Sequence, residues 1–177
     1  MIFSGTILWL LPVFVLALWL IQNVSHEGAH ALTAMKFGAK IVDFWPFPST
    51  KLGTFTFAHV SWQWGEAGAP SNKGRALISG APLILNTILV SVLLASRFLF
   101  PEMGAGLATF LSAWMLTNYV DGAVSLGTFY RPEPEFKGFL TDGWSVKHQL
   151  GVPTLWCRVT AVLWHLVFGF LVLIPIT

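Results

Sequence analysis

The chain has 177 residues, of which 55% are hydrophobic and only 10% carry a charge. Soluble domains usually carry about 25% charged residues, so most of this surface is not made to face water. The formal net charge is +2 and there is no run of Lys or Arg, so nothing indicates nucleic-acid binding. The single cysteine excludes an internal disulfide and a thiolate metal cluster. The length predicts a single membrane-embedded domain, residues 1–177.

Four stretches without Asp, Glu, Lys or Arg predict four membrane-spanning helices. Each is close to the ~20 residues that a helix needs to cross the hydrocarbon core of a bilayer. We expect Pro12 to be a tolerated kink in the first helix, and we expect this helix to be retained because it lacks the basic start of a signal peptide. In chain order the predicted helices cover residues 5–37, 73–98, 104–125 and 153–174.

Residues 39–72 predict a small β insertion at the membrane surface. Pro46 and Pro48 do not suit a helix, and the Thr/Phe alternation of residues 53–57 is typical of a strand. His59 is interpreted as an interfacial residue, with a position near a substrate as the alternative. The fold class is therefore an all-α membrane protein of about four transmembrane helices with a small interfacial β segment. Three tryptophans of the insertion suit a membrane interface: Trp45, Trp62 and Trp64.

The basic residues are concentrated in the two longer loops and at their flanking helix ends. Only Arg97 lies near the opposite side. By the positive-inside rule, both loops are predicted to be cytoplasmic and both termini to be outside, in a multi-pass protein of the plasma or inner membrane. The basic residues of the first loop region are Lys36, Lys40, Lys51, Lys73 and Arg75, and those of the second are Arg131, Lys137 and Lys147.

The first predicted helix carries the sequence His-Glu-Gly-Ala-His at residues 26–30. His26 and His30 are four residues apart, which puts both imidazoles on one helix face, with Cβ atoms about 5–6 Å apart. Two imidazole nitrogens so placed can bind one Zn²⁺ at ~2.0–2.1 Å each. Glu27 is placed to take a proton from a water molecule that zinc has made acidic. The pattern predicts a zinc hydrolase centre with Glu27 as its general base.

An alternative is that the first helix ends near Ser25 and leaves these residues at the membrane interface. The apolar pattern continues to Phe37, which favours an unbroken helix. Glu27 is also the first charged residue of the chain, and an ionisable group at membrane depth is costly and usually functional. Both observations favour the zinc interpretation.

A catalytic zinc site needs a third protein ligand and one open position. Asp121 and Asp142 are the candidates, each followed by glycine on the predicted cytoplasmic side. Either Asp-Gly pair could instead form a turn or a helix cap, and residues 141–144, Thr-Asp-Gly-Trp, predict a helix start. Asp43 lies in the surface segment, and Cys157 would need the fourth helix to bring it to the site, so both are less favoured.

Residues 26–32, His-Glu-Gly-Ala-His-Ala-Leu, resemble the signature helix of the site-2 protease family of intramembrane zinc metalloproteases. Residues 79–86, Ser-Gly-Ala-Pro-Leu-Ile-Leu-Asn, resemble its small-Gly-Pro-Leu-x-x-Asn helix, with Ala81 inserted. A third stretch resembles the family's Asn…Pro…Asp-Gly element at wider spacing. In it, Asn118 is followed by Pro132 or Pro134 and then by Asp142-Gly143. The resemblance spans residues 20–145.

The resemblance implies hydrolysis of a peptide bond in or near a substrate's transmembrane helix, toward the cytoplasmic side. It implies Glu27 as the catalytic base and Asn118 as a residue that binds substrate or stabilises the oxyanion. A transmembrane protein substrate and the lipid bilayer are then the partners, while the oligomeric state stays open. Asp121 remains the alternative third ligand. The cofactor implied is Zn²⁺, and the implied ligands are His26, His30 and Asp142.

Two other classes of protein could carry the same residues. A membrane metal-binding or transport protein would need polar side chains along a path, whereas the ionisable groups here cluster at one end. A protease-like scaffold without activity would not need Glu27, which is intact.

Overall fold

The computed structural model describes residues 6–50, 56–100, 102–127, 135–136, 139–140 and 142–173. A π-helical turn, His165–Gly169, joins the last two helices into one helical stretch. The helices of the described part are α1 (Leu11–Lys36), α2 (Asn72–Leu99), α3 (Ala105–Gly127), α4 (Asp142–Leu150), α5 (Thr154–Trp164) and α6 (Phe170–Leu173). Its strands are β1 (Ala39–Trp45), β2 (His59–Trp64), β3 (Glu135–Phe136) and β4 (Phe139–Leu140), paired antiparallel as β1–β2 and β3–β4.

The predicted helical architecture with a small β segment is confirmed. The second, third and fourth predicted helices agree with α2, α3 and the α5–α6 stretch to within two residues at each end, and α4 begins at the predicted Asp142. Two helices, Asn72–Leu99 and Thr154–Val172, are long and apolar enough to cross a membrane. Large apolar side chains on the helix surfaces are more than half exposed, among them Leu16, Ile88 and Leu163.

The start of the first helix differs from the prediction. α1 begins at Leu11, so Pro12 lies in the first turn and does not kink the helix. A proline is favoured there because the first backbone N–H groups of a helix have no partner within it. The preceding segment is instead attached to α3, since Thr109 Oγ1 accepts a hydrogen bond from the Ile7 backbone N–H at 2.9 Å.

The β insertion folds back along α1. Gly38, with φ +84°, ends the helix as predicted and turns the chain into β1. Beyond β1, Ser49 and Thr56 continue the antiparallel pairing as an isolated bridge, while residues 53–55 of the predicted strand lie outside the described residues. Phe57 packs edge-on against Trp19, with ring centroids 5.4 Å apart. Trp19 lies 17 residues, or about 25 Å, before the end of α1.

Helix packing places α2 at the centre of the bundle, in contact with α1, α3 and α4. α3 approaches the end of α5 closely at Gly122, where an added Cβ would lie 3.0 Å from the Trp164 ring. The glycine of this Asp-Gly pair therefore has a packing role. One buried core cluster joins α2, α3 and α6 through Val90, Leu93, Leu94, Met115 and Val172.

Candidate metal centre

The two motif histidines lie on one continuous helix. α1 runs past His26 and His30 to Lys36, so the alternative that the helix ends near Ser25 is wrong. The imidazole centroids are 5.1 Å apart, as the i, i+4 spacing requires. His30 is buried and His26 is partly buried, so neither is an ordinary interfacial side chain.

Asp142, the first residue of α4, faces both imidazoles. Its Oδ2 atom lies 3.2 Å from His26 Nε2 and its Oδ1 atom lies 3.3 Å from His30 Nε2. Burial alone would raise the pKa of the Asp142 carboxyl, but the imidazoles of His30 and His26 outweigh it and hold this pKa well below its usual range. The carboxylate is therefore ionised at neutral pH.

The position of Asp142 depends on how α4 packs against α2. Ser79 on α2 donates a hydrogen bond to Ser145 on α4, with 2.8 Å between the Oγ atoms. Next to it, an added Cβ on Gly80 would lie 3.5 Å from Val146 Cγ2, so the two helices meet closely at this glycine. Small side chains on both helices thus bring the start of α4 to the histidine face of α1.

These three side chains fit a zinc ion. His26, His30 and Asp142 each offer a ligand atom within 4.8 Å of the other two. Ligand atoms at ~2.1 Å from one tetrahedral Zn²⁺ would be roughly 3.4 Å apart. The nitrogen–oxygen distances of 3.2 and 3.3 Å, each to a different oxygen of the carboxylate, are close to that spacing. Two imidazoles and one carboxylate are also a usual donor set of catalytic zinc sites, which keep one further position for water or substrate.

Asp121, the alternative third ligand, contacts the other side of the His26 ring. Its Oδ2 atom lies 2.8 Å from His26 Nδ1. The same oxygen accepts hydrogen bonds from Asn86 Nδ2 at 2.6 Å and from Gln22 Nε2 at 3.1 Å. The two amides are also joined to each other, because Gln22 Nε2 donates to Asn86 Oδ1. This polar network joins α1, α2 and α3, and it fixes the orientation of His26.

His30 is oriented by a backbone carbonyl that a proline leaves free. In a regular helix the Ile78 carbonyl would accept a hydrogen bond from the N–H of residue 82, but Pro82 has none. The Ile78 oxygen instead lies 2.7 Å from His30 Nδ1. This role of the proline in the second motif was not predicted from the sequence.

The hydrogen-bond partners also assign the tautomers of the two histidines. The Asp121 carboxylate and the Ile78 carbonyl can only accept, so Nδ1 carries the proton in both rings. The Asp142 carboxylate accepts from the Nε2 side of both rings, and a metal ion bound there would take the place of the Nε2 protons and face the Nε2 lone pairs. A carboxylate or carbonyl that orients a histidine in this way is typical of metal ligands.

Glu27 follows His26 and is partly buried. Its carboxylate makes no hydrogen bond within the described part of the chain, and its role as general base stays a prediction.

Asn118, the predicted substrate-binding residue, is fully buried in α3. Its Nδ2 atom donates to the Trp114 carbonyl at 2.8 Å, and its Oδ1 atom is buried without a partner among the described residues. None of its hydrogen bonds to described residues reaches the histidines, so its role stays a prediction. Pro132 and Pro134 of the same motif lie outside the described residues.

Gln22 and Asn86 were missed as parts of the site. Gln22 precedes His26 by four residues, the spacing that puts two side chains on one helix face. Asn86 ends the second motif, and both are uncharged polar residues in an apolar helix, buried at 4% and 0% exposure. That pattern was a signal for a shared hydrogen-bond network.

The chain matches no family model, no curated protein and no solved structure. Its function is therefore inferred from the geometry of the metal centre itself.

Proposed function

We propose that this chain is an intramembrane zinc metalloprotease that hydrolyses a peptide bond in or beside a substrate's transmembrane helix. The observation that supports it most is the convergence of His26 Nε2, His30 Nε2 and the Asp142 carboxylate, with Glu27 on the same turn of α1. A purely structural ion pair would not need both imidazoles to be held at Nδ1 by separate partners. A metal centre does need this, because its ligands must keep their lone pairs aimed at one point.

The chain's own residues supply the proton transfers of peptide hydrolysis. Zinc held by the two histidines and Asp142 would polarise the scissile carbonyl and acidify water. Glu27 takes a proton from the water that attacks the carbonyl carbon, and it then gives a proton to the nitrogen of the leaving amine. The carbon–nitrogen bond breaks, and the products are a carboxylate and an amine.

The substrate segment must be extended when it is cleaved, because a helical peptide hides its carbonyls from attack. The β1–β2 hairpin runs beside α1 and presents strand edges to such a segment. Main-chain hydrogen bonds to a strand edge are a common way to bind an extended peptide.

Four helical stretches are proposed to cross the membrane: α1, α2, α3 and α5–α6. A reporter fused after Thr177 should therefore score as extracytoplasmic, and a tag inserted at Glu133, outside the described residues, as cytoplasmic. Cysteine-labelling or reporter-enzyme assays in intact cells distinguish the two sides. Finding both positions on the same side would contradict the number of spans or the orientation.

Metal content and cleavage together test the proposed function. Purified wild-type protein should hold about one zinc per chain, and His26→Ala should lose most of it, since two ligands hold zinc weakly. Wild type should also cleave a model transmembrane peptide that contains a helix-breaking Asn-Pro pair, and His26→Ala should not.

The matched control is His165→Ala, because His165 lies in the π-helical turn and its Nδ1 atom bonds to the Ala161 carbonyl of its own helix. This variant should keep its zinc and its activity. A wild-type protein without zinc, or His26→Ala with zinc fully retained, would show that the proposal is wrong.

A further inference from the structure

One face of α1 turns toward the start of β2. Trp19, Asn23 and Glu27 are spaced by four residues and so lie in a row along the helix. At one end of the row, Trp19 packs on Phe57, and β2, which begins at His59, packs against α1. Asn23 lies midway and therefore faces the same hairpin segment. We call the space between this row and the segment from Phe57 to His59 the α1–β2 groove.

Two buried polar atoms in this groove have no partner in the part of the chain that the structure describes. Asn23 and His59 are only 8% and 7% exposed. Asn23 Nδ2 and His59 Nδ1 are both buried and make no hydrogen bond to any described residue. Buried polar atoms are nearly always paired, so each of these atoms indicates a partner that no described residue provides.

The β1–β2 register fixes which group His59 offers. Val42 is the extra residue of a bulge between Ile41 and Asp43, which moves Asp43 to the sheet face that carries His59. The Asp43 Oδ2 atom lies 3.1 Å from His59 Nε2. A carboxylate only accepts, so Nε2 carries the proton and the neutral ring presents Nδ1 as an acceptor. The groove therefore offers one donor, from Asn23, and one acceptor, from His59.

We propose that Asn23 and His59 bind the main chain of the extended substrate in the α1–β2 groove. Asn23 Nδ2 donates to a substrate carbonyl, and His59 Nδ1 accepts from a substrate N–H. An extended peptide supplies both groups whatever its side chains are, so this recognition tolerates different sequences. Asn23 lies one helical turn from Glu27, which places the bound segment next to the proposed base. The inference rests on the proposed protease function.

Peptide binding in a Glu27→Gln background tests this proposal without cleavage. The probe is a fluorescent model transmembrane peptide with an Asn-Pro pair, and its affinity is measured by anisotropy in detergent. Asn23→Leu, similar in volume but unable to donate, should bind the probe roughly tenfold more weakly, as expected for one lost hydrogen bond. His59→Gln, which keeps a donor for Asp43, should also bind it several-fold more weakly. Val24→Leu is the matched control, because Val24 is 45% exposed and next in sequence, and it should bind as tightly as the background.

Zinc content and the midpoint of thermal unfolding are recorded for every variant. Asn23→Leu should keep its zinc content and its unfolding midpoint, because it replaces a polar group that has no partner among the described residues. If Asn23→Leu does not fold, the probe affinity of His59→Gln tests the proposal. Unchanged probe affinity in the folded variants with zinc retained would overturn this inference alone. Wild-type protein that holds no zinc, or cleavage by Glu27→Gln, would overturn the proposed function instead. Wild type that does not bind the probe would overturn the inference.

Discussion

Glu27→Gln should lower the rate of peptide cleavage by roughly 10²–10⁴-fold while leaving about one zinc per chain. The amide has nearly the size of the carboxylate, but it cannot accept a proton from the attacking water. Zinc should stay, because the converging ligand atoms belong to His26, His30 and Asp142 and not to Glu27. Cleavage of the model peptide is followed by mass spectrometry, and zinc is measured by elemental analysis of the same samples.

Two results would show that the role given to Glu27 is wrong. Activity close to wild type would mean that another group transfers the proton. Loss of zinc would mean that Glu27 binds the metal. Val24→Leu serves as the control for changes on α1, since its exposed side chain does not contribute to the metal centre.

Asp142→Ala should abolish zinc binding at concentrations that saturate wild type, and cleavage should be lost with it. The substitution removes the one carboxylate that lies within 3.2–3.3 Å of both Nε2 atoms, and two imidazoles alone hold zinc weakly. Competition with a chromogenic chelator measures the zinc affinity. Circular dichroism checks that the helices remain folded.

Asp121→Asn is the informative comparison, because Asp121 contacts His26 on Nδ1 and not on the side that faces Asp142. The amide oxygen can still accept from His26, so zinc should still bind, with an affinity lower by about 10–100-fold. The reverse result, in which Asp121→Asn loses zinc completely and Asp142→Ala keeps it, would make Asp121 the third ligand.

Much of the site and of the fold could be predicted from local sequence. Whether His26 and His30 share a helix face depends only on their spacing, and the apolar residues up to Phe37 indicated that the helix continues through them. Likewise, Gly38 marked the end of α1 because it adopts a positive φ, and uncharged stretches marked α2, α3 and the α5–α6 stretch. Such features are determined within one or two helical turns, so the sequence by itself was enough.

Choices between distant residues were left to the tertiary structure. Local sequence left Asp121 and Asp142 both open, since each is an aspartate followed by glycine, and only the family resemblance favoured Asp142. Packing separates them: the α2–α4 contact brings Asp142 to the Nε2 side of the histidines, and the α1–α2–α3 network holds Asp121 on the Nδ1 side of His26. The atoms that meet belong to helices whose relative positions depend on small residues such as Gly80.

Pro82 shows the same limit within a single motif. In the sequence it is only the proline of the second motif, whereas the fold places the carbonyl that it leaves free 2.7 Å from His30. The hairpin is similar, because only its return along α1 brings Asn23 and His59 to one groove. Periodicity along a chain determines which face of an element a residue occupies. Which residues that face contacts is decided by packing between elements. Such packing depends on side-chain volumes and polar partners that are far apart in sequence.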